Sequence, residues 1–208
     1  MRYYPNQKQN SIRYRMDTAP AKRISTALDR AAWIKAASDA LAEHGVAGLR
    51  VETLAGKLGV TKGSFYWHFK DRRDLQDAVL ARWKEGRIGD IRKQTAAEPG
   101  KEIDALLHTI GVYASPRNRK GIPIELAVRD WARRDARAAE VVAEVDAERL
   151  ACSYRLFRAC GLVDAEARAR SVMLYAYVFG VSLLRGEQFA ADLTEFKHWI
   201  AEYIVRQA

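Results

Sequence analysis

Between Thr61 and Arg72 the chain gathers side chains suited to gripping a nucleic acid. Lys62 reaches a phosphate or a guanine edge. Ser64 is small enough for close approach, and Gly63 adds no side chain to hold a helix end away. Tyr66 and His68 can hydrogen-bond to phosphates while their rings pack on sugars or thymine methyls. A helix start beside Thr61 offers unbonded N–H groups and partial positive charge. Lys70 and Arg72 extend the positive edge. This is recognition chemistry, with no bond made or broken. Elsewhere the chain has no phosphate-binding glycine loop, nucleophile elbow or zinc-binding helix pair. An enzyme is therefore not expected, nor is a cofactor. His44, His68, His108 and His198 lie too far apart for a metal spacing, so no metal site is expected.

These side chains need elements to hold them. A short helix fits Val51 to Leu58, with Leu54 and Leu58 on one face and Gly59 as its stop. Thr61 suits the cap of a second short helix, Lys62 to about His68, its hydroxyl accepting the Ser64 N–H. Phe65 and Phe69 are four apart and face the core with Val60. Helix, glycine-containing turn and helix make a helix-turn-helix layout. A helix from about Ser25 to His44 precedes it, with Leu28, Ala31, Ile34, Ala37 and Leu41 as its apolar stripe. Asp71 caps the next, Arg72 to about Lys93, with Leu75, Val79 and Trp83 inward.

The rest also reads as helix. Pro99-Gly100 breaks the chain, and helices fit Glu102–Ala114, Pro123–Arg134 and Ala136–Cys160, with a polar loop over 115–121. Asp164 caps a helix running to about Gly186. Asp192-Leu193-Thr194-Glu195 resembles a capping box that opens the last one, to about Arg206. No convincing strand run appears. The expected fold is all-α: a flexible basic arm (1–23), a DNA-binding unit (24–71), a linking helix (72–98) and a second helical domain (99–208).

Charge supports that division. The chain has 208 residues and a net charge of +9. Residues 22–73 carry 10 basic and 5 acidic side chains, whereas residues 74–208 carry 21 and 20. An excess confined to the N-terminal part implies an anionic partner for that part. Hydrophobic residues make up 49%, enough for a sizeable core and too many for a disordered chain. The longest uncharged run, Ser171–Leu184, has 14 residues, short of the ~18 of a membrane span. The first residues lack the apolar core of a signal peptide, so a cytoplasmic location is expected.

The run Thr61 to Phe69 resembles the recognition helix of the TetR (tetracycline-repressor) family. Leu54-Ala55 and Leu58-Gly59-Val60 resemble the segment before it. The resemblance extends from about Arg30 to Trp83; beyond residue 94 it consists only of length and helical content. It implies an all-helical homodimer with an effector-binding and dimerisation domain. It also implies a transcription regulator, most often a repressor, released from palindromic double-stranded DNA by a small molecule. Carried over to this chain, Lys62, Gly63, Ser64, Tyr66, His68 and Arg72 fall at DNA-contacting positions. Trp67 divides evenly between core and contact. Arg50 stands where the family has a Ser or Thr cap, and its charge replaces that hydroxyl. Thr61 and Lys70 complete the expected interface. The alternative is an architectural DNA binder without effector, which has no use for the near-neutral second domain.

Two further sets are expected in that domain. His108, Tyr113, Arg129, Trp131, Tyr154, Phe157, Met173 and Tyr177 are the candidates for an effector pocket, although such spacing also suits plain core. Leu174, Tyr177, Val181 and Leu184 form one stripe, with Val172, Tyr175, Phe179 and Ser182 as a second. Leu193, Phe196, Ile200 and Tyr203 form another on the last helix. A helix apolar on two sides needs two covers. The first stripe and the last helix are therefore the candidate dimer interface, the alternative being burial within one subunit.

Overall fold

The computed structural model describes residues 29–113, 121–184 and 190–205, all within helices or the turns joining them. The expected arm, the start of the first helix and most of the 115–121 loop lie outside the described residues. The part expected to bind DNA comprises α1 (Arg30–His44), α2 (Val51–Leu58) and α3 (Lys62–Phe65). The linking helix is α4 (Arg72–Gln94). Then follow α5 (Glu102–Tyr113), α6 (Gly121–Ala132), α7 (Ala136–Ala159), α8 (Asp164–Leu183) and α9 (Ala190–Val205).

Local rules set the boundaries. The Asp29 carboxylate accepts the Ala32 N–H at 2.8 Å and opens α1. Asp71 does the same for α4 through Asp74 N–H at 2.9 Å. Gly59 ends α2 in the left-handed region, φ 67°, where a side chain would be strained. Three expected caps differ. Thr61 precedes α3, but its hydroxyl makes no cap bond; the backbone carbonyl accepts Ser64 N–H instead. Val163, not Asp164, is the cap of α8, and Asp164 is taken up by Arg168 and the Tyr154 hydroxyl. Asp192 falls inside α9, which starts two residues earlier.

Burial is organised in two cores. The first joins Trp33, Ala37 and Leu41 of α1, Leu54 of α2, Phe65, Phe69, and Leu75, Val79 and Trp83 of α4. It continues into Val128 and Trp131 of α6 and Val142, Val145 and Cys152 of α7. Trp33 and Ala40 join Ile34, Ala37 and Leu41 of the expected stripe on the buried α1 face, and Ala31 is exposed. The second core joins Leu106 and Ile110 of α5, Leu156 and Phe157 of α7, Leu174, Tyr175 and Val178 of α8, and Ala201 and Ile204 of α9. The boundary between the cores runs through α7.

Candidate nucleic-acid interface

The helix-turn-helix is fixed from beneath by aromatic packing. Phe65 is fully buried and meets Trp33 edge-on at 5.4 Å, while Phe69 stacks on it at 5.2 Å. Such pairs are worth ~0.5–1.5 kcal/mol beyond area burial. The Arg30 guanidinium lies 4.6 Å over the Phe69 ring and 3.3 Å from Asp74, which also accepts Lys70 N–H. The start of α1 is thus tied to the segment that follows the recognition helix.

With Phe65 and Phe69 inward, their neighbours face water. Trp67 is 88% exposed and Tyr66 57%. Thr61, Lys62, Gly63, Lys70 and Arg72 are exposed, and Ser64 and His68 are partly so. All nine fall within residues 61–72, where only Phe65 and Phe69 turn inward, so Trp67 is outward and Phe69 is core. A Cβ on Gly63 would meet nothing nearer than Thr61 Oγ1 at 3.6 Å. The fold itself does not demand glycine there. Arg72 also serves the fold, since one Nη donates to the Val46 carbonyl at 3.2 Å. Arg50 precedes α2 and is exposed, with no side-chain cap bond.

One contact at this face escaped sequence reasoning. Lys62 Nζ lies 2.5 Å from the carboxylate of Glu52, in the first turn of α2. Each group steadies the other's charge: the Lys62 hydrogen bond lowers the Glu52 carboxyl pKa, and the Glu52 hydrogen bond raises that of the Lys62 ammonium.

The second domain disperses its expected pocket. Trp131 lies in the first core and Phe157 in the second. His108 and Met173 are exposed, Tyr177 is half-buried against the second core, and the Tyr113 side chain lies outside the described residues. Only Arg129 and Tyr154 line a cleft between α7 and α8. Arg129 borders a cavity of 290 Å³ with Arg149, Leu150, Val172 and Phe179. Tyr154 borders a neighbouring one of 450 Å³ with Leu150, Arg168 and Val172. Beneath Arg129 runs a charge network not foreseen as such. Glu125 accepts from Arg129 Nε at 2.9 Å and from both Arg149 Nη groups at 2.7 and 2.9 Å. Asp146 accepts from both Arg129 Nη groups, and Arg87 of α4 reaches Glu125 at 3.3 Å. The signals were present as Glu125/Arg129 and Asp146/Arg149, at helical spacings of four and three.

The candidate interface stripe shifts as well. Leu174 is fully buried in its own subunit and Ile200 packs partly against the same core. Neither is an outer-face residue. Tyr177 and Val181 are half-buried, whereas Leu184, Phe196 and Tyr203 are exposed. The Leu193 side chain lies outside the described residues. The inward face of α8 is Ser171, Leu174, Tyr175 and Val178; Val172, of the second stripe, points outward. Val172, Met173, Leu183 and Trp199 join the exposed apolar surface. The two cysteines form no disulfide, and burial pushes the Cys152 thiol pKa up, away from a reactive thiolate.

A helix-turn-helix with an outward aromatic and cationic face on an all-helical body defines a class of nucleic-acid-binding proteins. Residues 34–79, which contain the helix-turn-helix, match the profile of bacterial regulatory proteins, tetR family. That segment is 50% identical over 46 residues to the tetracycline repressor protein class A of Escherichia coli, covering 22% of this chain and 21% of the repressor. It is 34% identical over 67 residues to the regulator AcrR of Shigella flexneri, covering 31% and 30%. These alignments span about a fifth to a third of the relatives' length, and the proteins named are regulators rather than enzymes. The fold is similar beyond that segment. A TetR-family member from Streptomyces coelicolor A3 superimposes with TM-score 0.63 at 23% identity, over 86% of this chain and 98% of that one. The multidrug binding protein EbrR, solved with malachite green, superimposes with TM-score 0.61 at 22% identity, over 86% and 98%. Among the described residues no helix is long and apolar enough to cross a membrane.

Proposed function

We propose that the protein is a sequence-specific DNA-binding transcription regulator without enzymatic activity. It acts in the cytoplasm as a homodimer and represses until a small molecule releases it. The observation that carries this reading is the outward face of Tyr66 and Trp67, set on a buried Phe65–Phe69 pair within a tetR-family segment. Leaving a tryptophan almost wholly in water has no benefit for the fold, whereas a binding face uses it. Thr61, Lys62, Gly63, Ser64, Tyr66, Trp67, His68, Lys70 and Arg72 form the contact surface, with Arg50 at its edge.

The exposed apolar surface of α8 and α9, including Leu184, Phe196 and Tyr203, supports a two-fold partner. Such a dimer sets two recognition helices about 34–36 Å apart, in successive major grooves. The cleft between α7 and α8 is the effector site, with Arg129 and Tyr154 on its walls. EbrR, of similar fold, was solved with an aromatic dye bound, which favours an effector of drug-like size here too. Arg87, Glu125 and Arg149 link α4 to α7, so a ligand that shifts α7 is felt by the helix leaving the DNA-binding part. A full switch requires ~10⁴-fold preference for the released state.

The test is selection of genomic fragments on the purified protein in ~0.15 M salt with competitor DNA. Recovery of a short palindrome, lost on Tyr66→Ala, supports the reading. Recovery of unrelated fragments with a uniform salt slope means an architectural binder instead.

A further inference from the structure

In the basic segment 22–73 one acid, Glu52, bonds directly to the recognition helix of the proposed contact surface. Residues 22–73 contain five: Asp29, Asp39, Glu43, Glu52 and Asp71. Asp29 and Asp71 cap helices. Asp39 pairs with Lys35 along α1, and Glu43 with Lys57. None of those four contacts reaches α3. Glu52 instead reaches across the turn to the first residue of the recognition helix. An exposed ion pair contributes only ~0–1 kcal/mol to stability, too little to explain a negative charge facing a polyanion.

The geometry of the pair suggests what it is for. In a G·C base pair the guanine O6 and cytosine N4 share a hydrogen bond of about 3 Å, and both remain accessible in the major groove. O6 is an acceptor and N4 a donor. Lys62 Nζ and a Glu52 oxygen, 2.5 Å apart, offer a donor and an acceptor at a matching separation. A reversed C·G pair sets donor against donor. In a T·A pair the adenine N7 lone pair lies beside N6 and repels a carboxylate. We propose that Glu52 is a specificity-determining residue that acts with Lys62 as one unit, reading a single G·C pair in each half-site, Lys62 on guanine and Glu52 on cytosine. The inference rests on the DNA-binding reading above and adds a residue to it. Glu52 lowers general affinity, because it repels phosphates, and in exchange it fixes sequence.

The test is selection from a pool of random double-stranded oligonucleotides by the full chain, its Glu52→Ala variant and its Lys62→Ala variant. Both side chains are exposed, so the variants keep their fold, which circular dichroism verifies. The wild type is expected to enrich a G·C pair at one half-site position. Each variant should lose that preference about tenfold or more and leave the other positions intact. Glu52→Ala should also bind unselected DNA more tightly than wild type. An unchanged motif in Glu52→Ala overturns the inference, as do losses at two different positions. If the wild type enriches no motif, the DNA-binding reading fails first and this inference with it.

Discussion

Arg149 of α7 and Glu125 of α6 meet through two hydrogen bonds of 2.7 and 2.9 Å, with 1% and 2% of their surfaces exposed. Desolvating two such ions is costly, and their attraction offsets this only while both are present. Glu125→Ala or Arg149→Met should each lower stability by ~3–5 kcal/mol, read as a fall in denaturant midpoint. The double replacement by apolar residues should recover most of it. A single variant as stable as wild type would mean that water reaches the pair.

At the proposed contact surface, Tyr66→Ala and Lys62→Ala should each weaken operator binding by ~1–3 kcal/mol, while helicity and melting are unchanged. Retained affinity would remove these residues from the contact surface. Phe65→Ala should behave in the opposite way, costing ~3–5 kcal/mol of stability by opening a cavity beside Trp33.

Charging the exposed apolar surface of the last two helices should separate subunits. Leu184→Glu with Phe196→Glu is expected to sediment as a folded monomer with much weaker operator affinity. Leu174→Glu should unfold the second core instead, because that side chain is fully buried. A double variant that remains dimeric would move the interface elsewhere.

Deleting residues 1–23 removes six basic side chains and one acidic side chain. Every phosphate that is thereby left to its counterions should flatten the slope of log affinity against log salt by ~0.9. Measured over about 50–200 mM salt, a slope flatter by at least ~1 is expected. An identical slope would mean that this segment does not touch DNA.

Acid should loosen the junction of α4 and α7. The Arg92 hydrogen bond holds the Glu148 carboxyl below its ordinary pKa. A lowered native pKa stabilises above the unfolded value, about 4.3, and that stability is lost as pH falls through the native value. Glu148→Gln should therefore be less stable than wild type at pH 7, and the two should converge as pH falls through the lowered native pKa of Glu148. A constant difference across that range would exclude the ion pair as its source.

The helices were legible because apolar spacing and capping residues are local. Val51–Leu58 ends where Gly59 predicts, and the pair Phe65 and Phe69 fixes which side of the recognition helix turns inward. Trp67 was ambiguous because position alone does not decide exposure for a large aromatic. Caps failed where two groups compete for one acid: Asp164 is drawn off by Arg168 and Tyr154. The α8 stripes failed because a helix apolar on two sides does not show which side turns inward; contacts from α5, α7 and α9 choose Leu174 and Tyr175 as the inward face. Glu52–Lys62 and Glu125–Arg149 join residues ten and twenty-four apart across turns, beyond any helical period.

The passage of α7 through both cores has a mechanical consequence. Val142 and Val145 anchor it beside Trp131, and Leu156 and Phe157 anchor it against α5 and α8. A helix of that length is a strut of about 36 Å. Neither half can melt without stripping apolar cover from the other, so heat should break the subunit in one cooperative step. For the same reason α1 to α4 are no detachable module: cut after α4, they would lose the apolar cover that α6 and α7 give the first core.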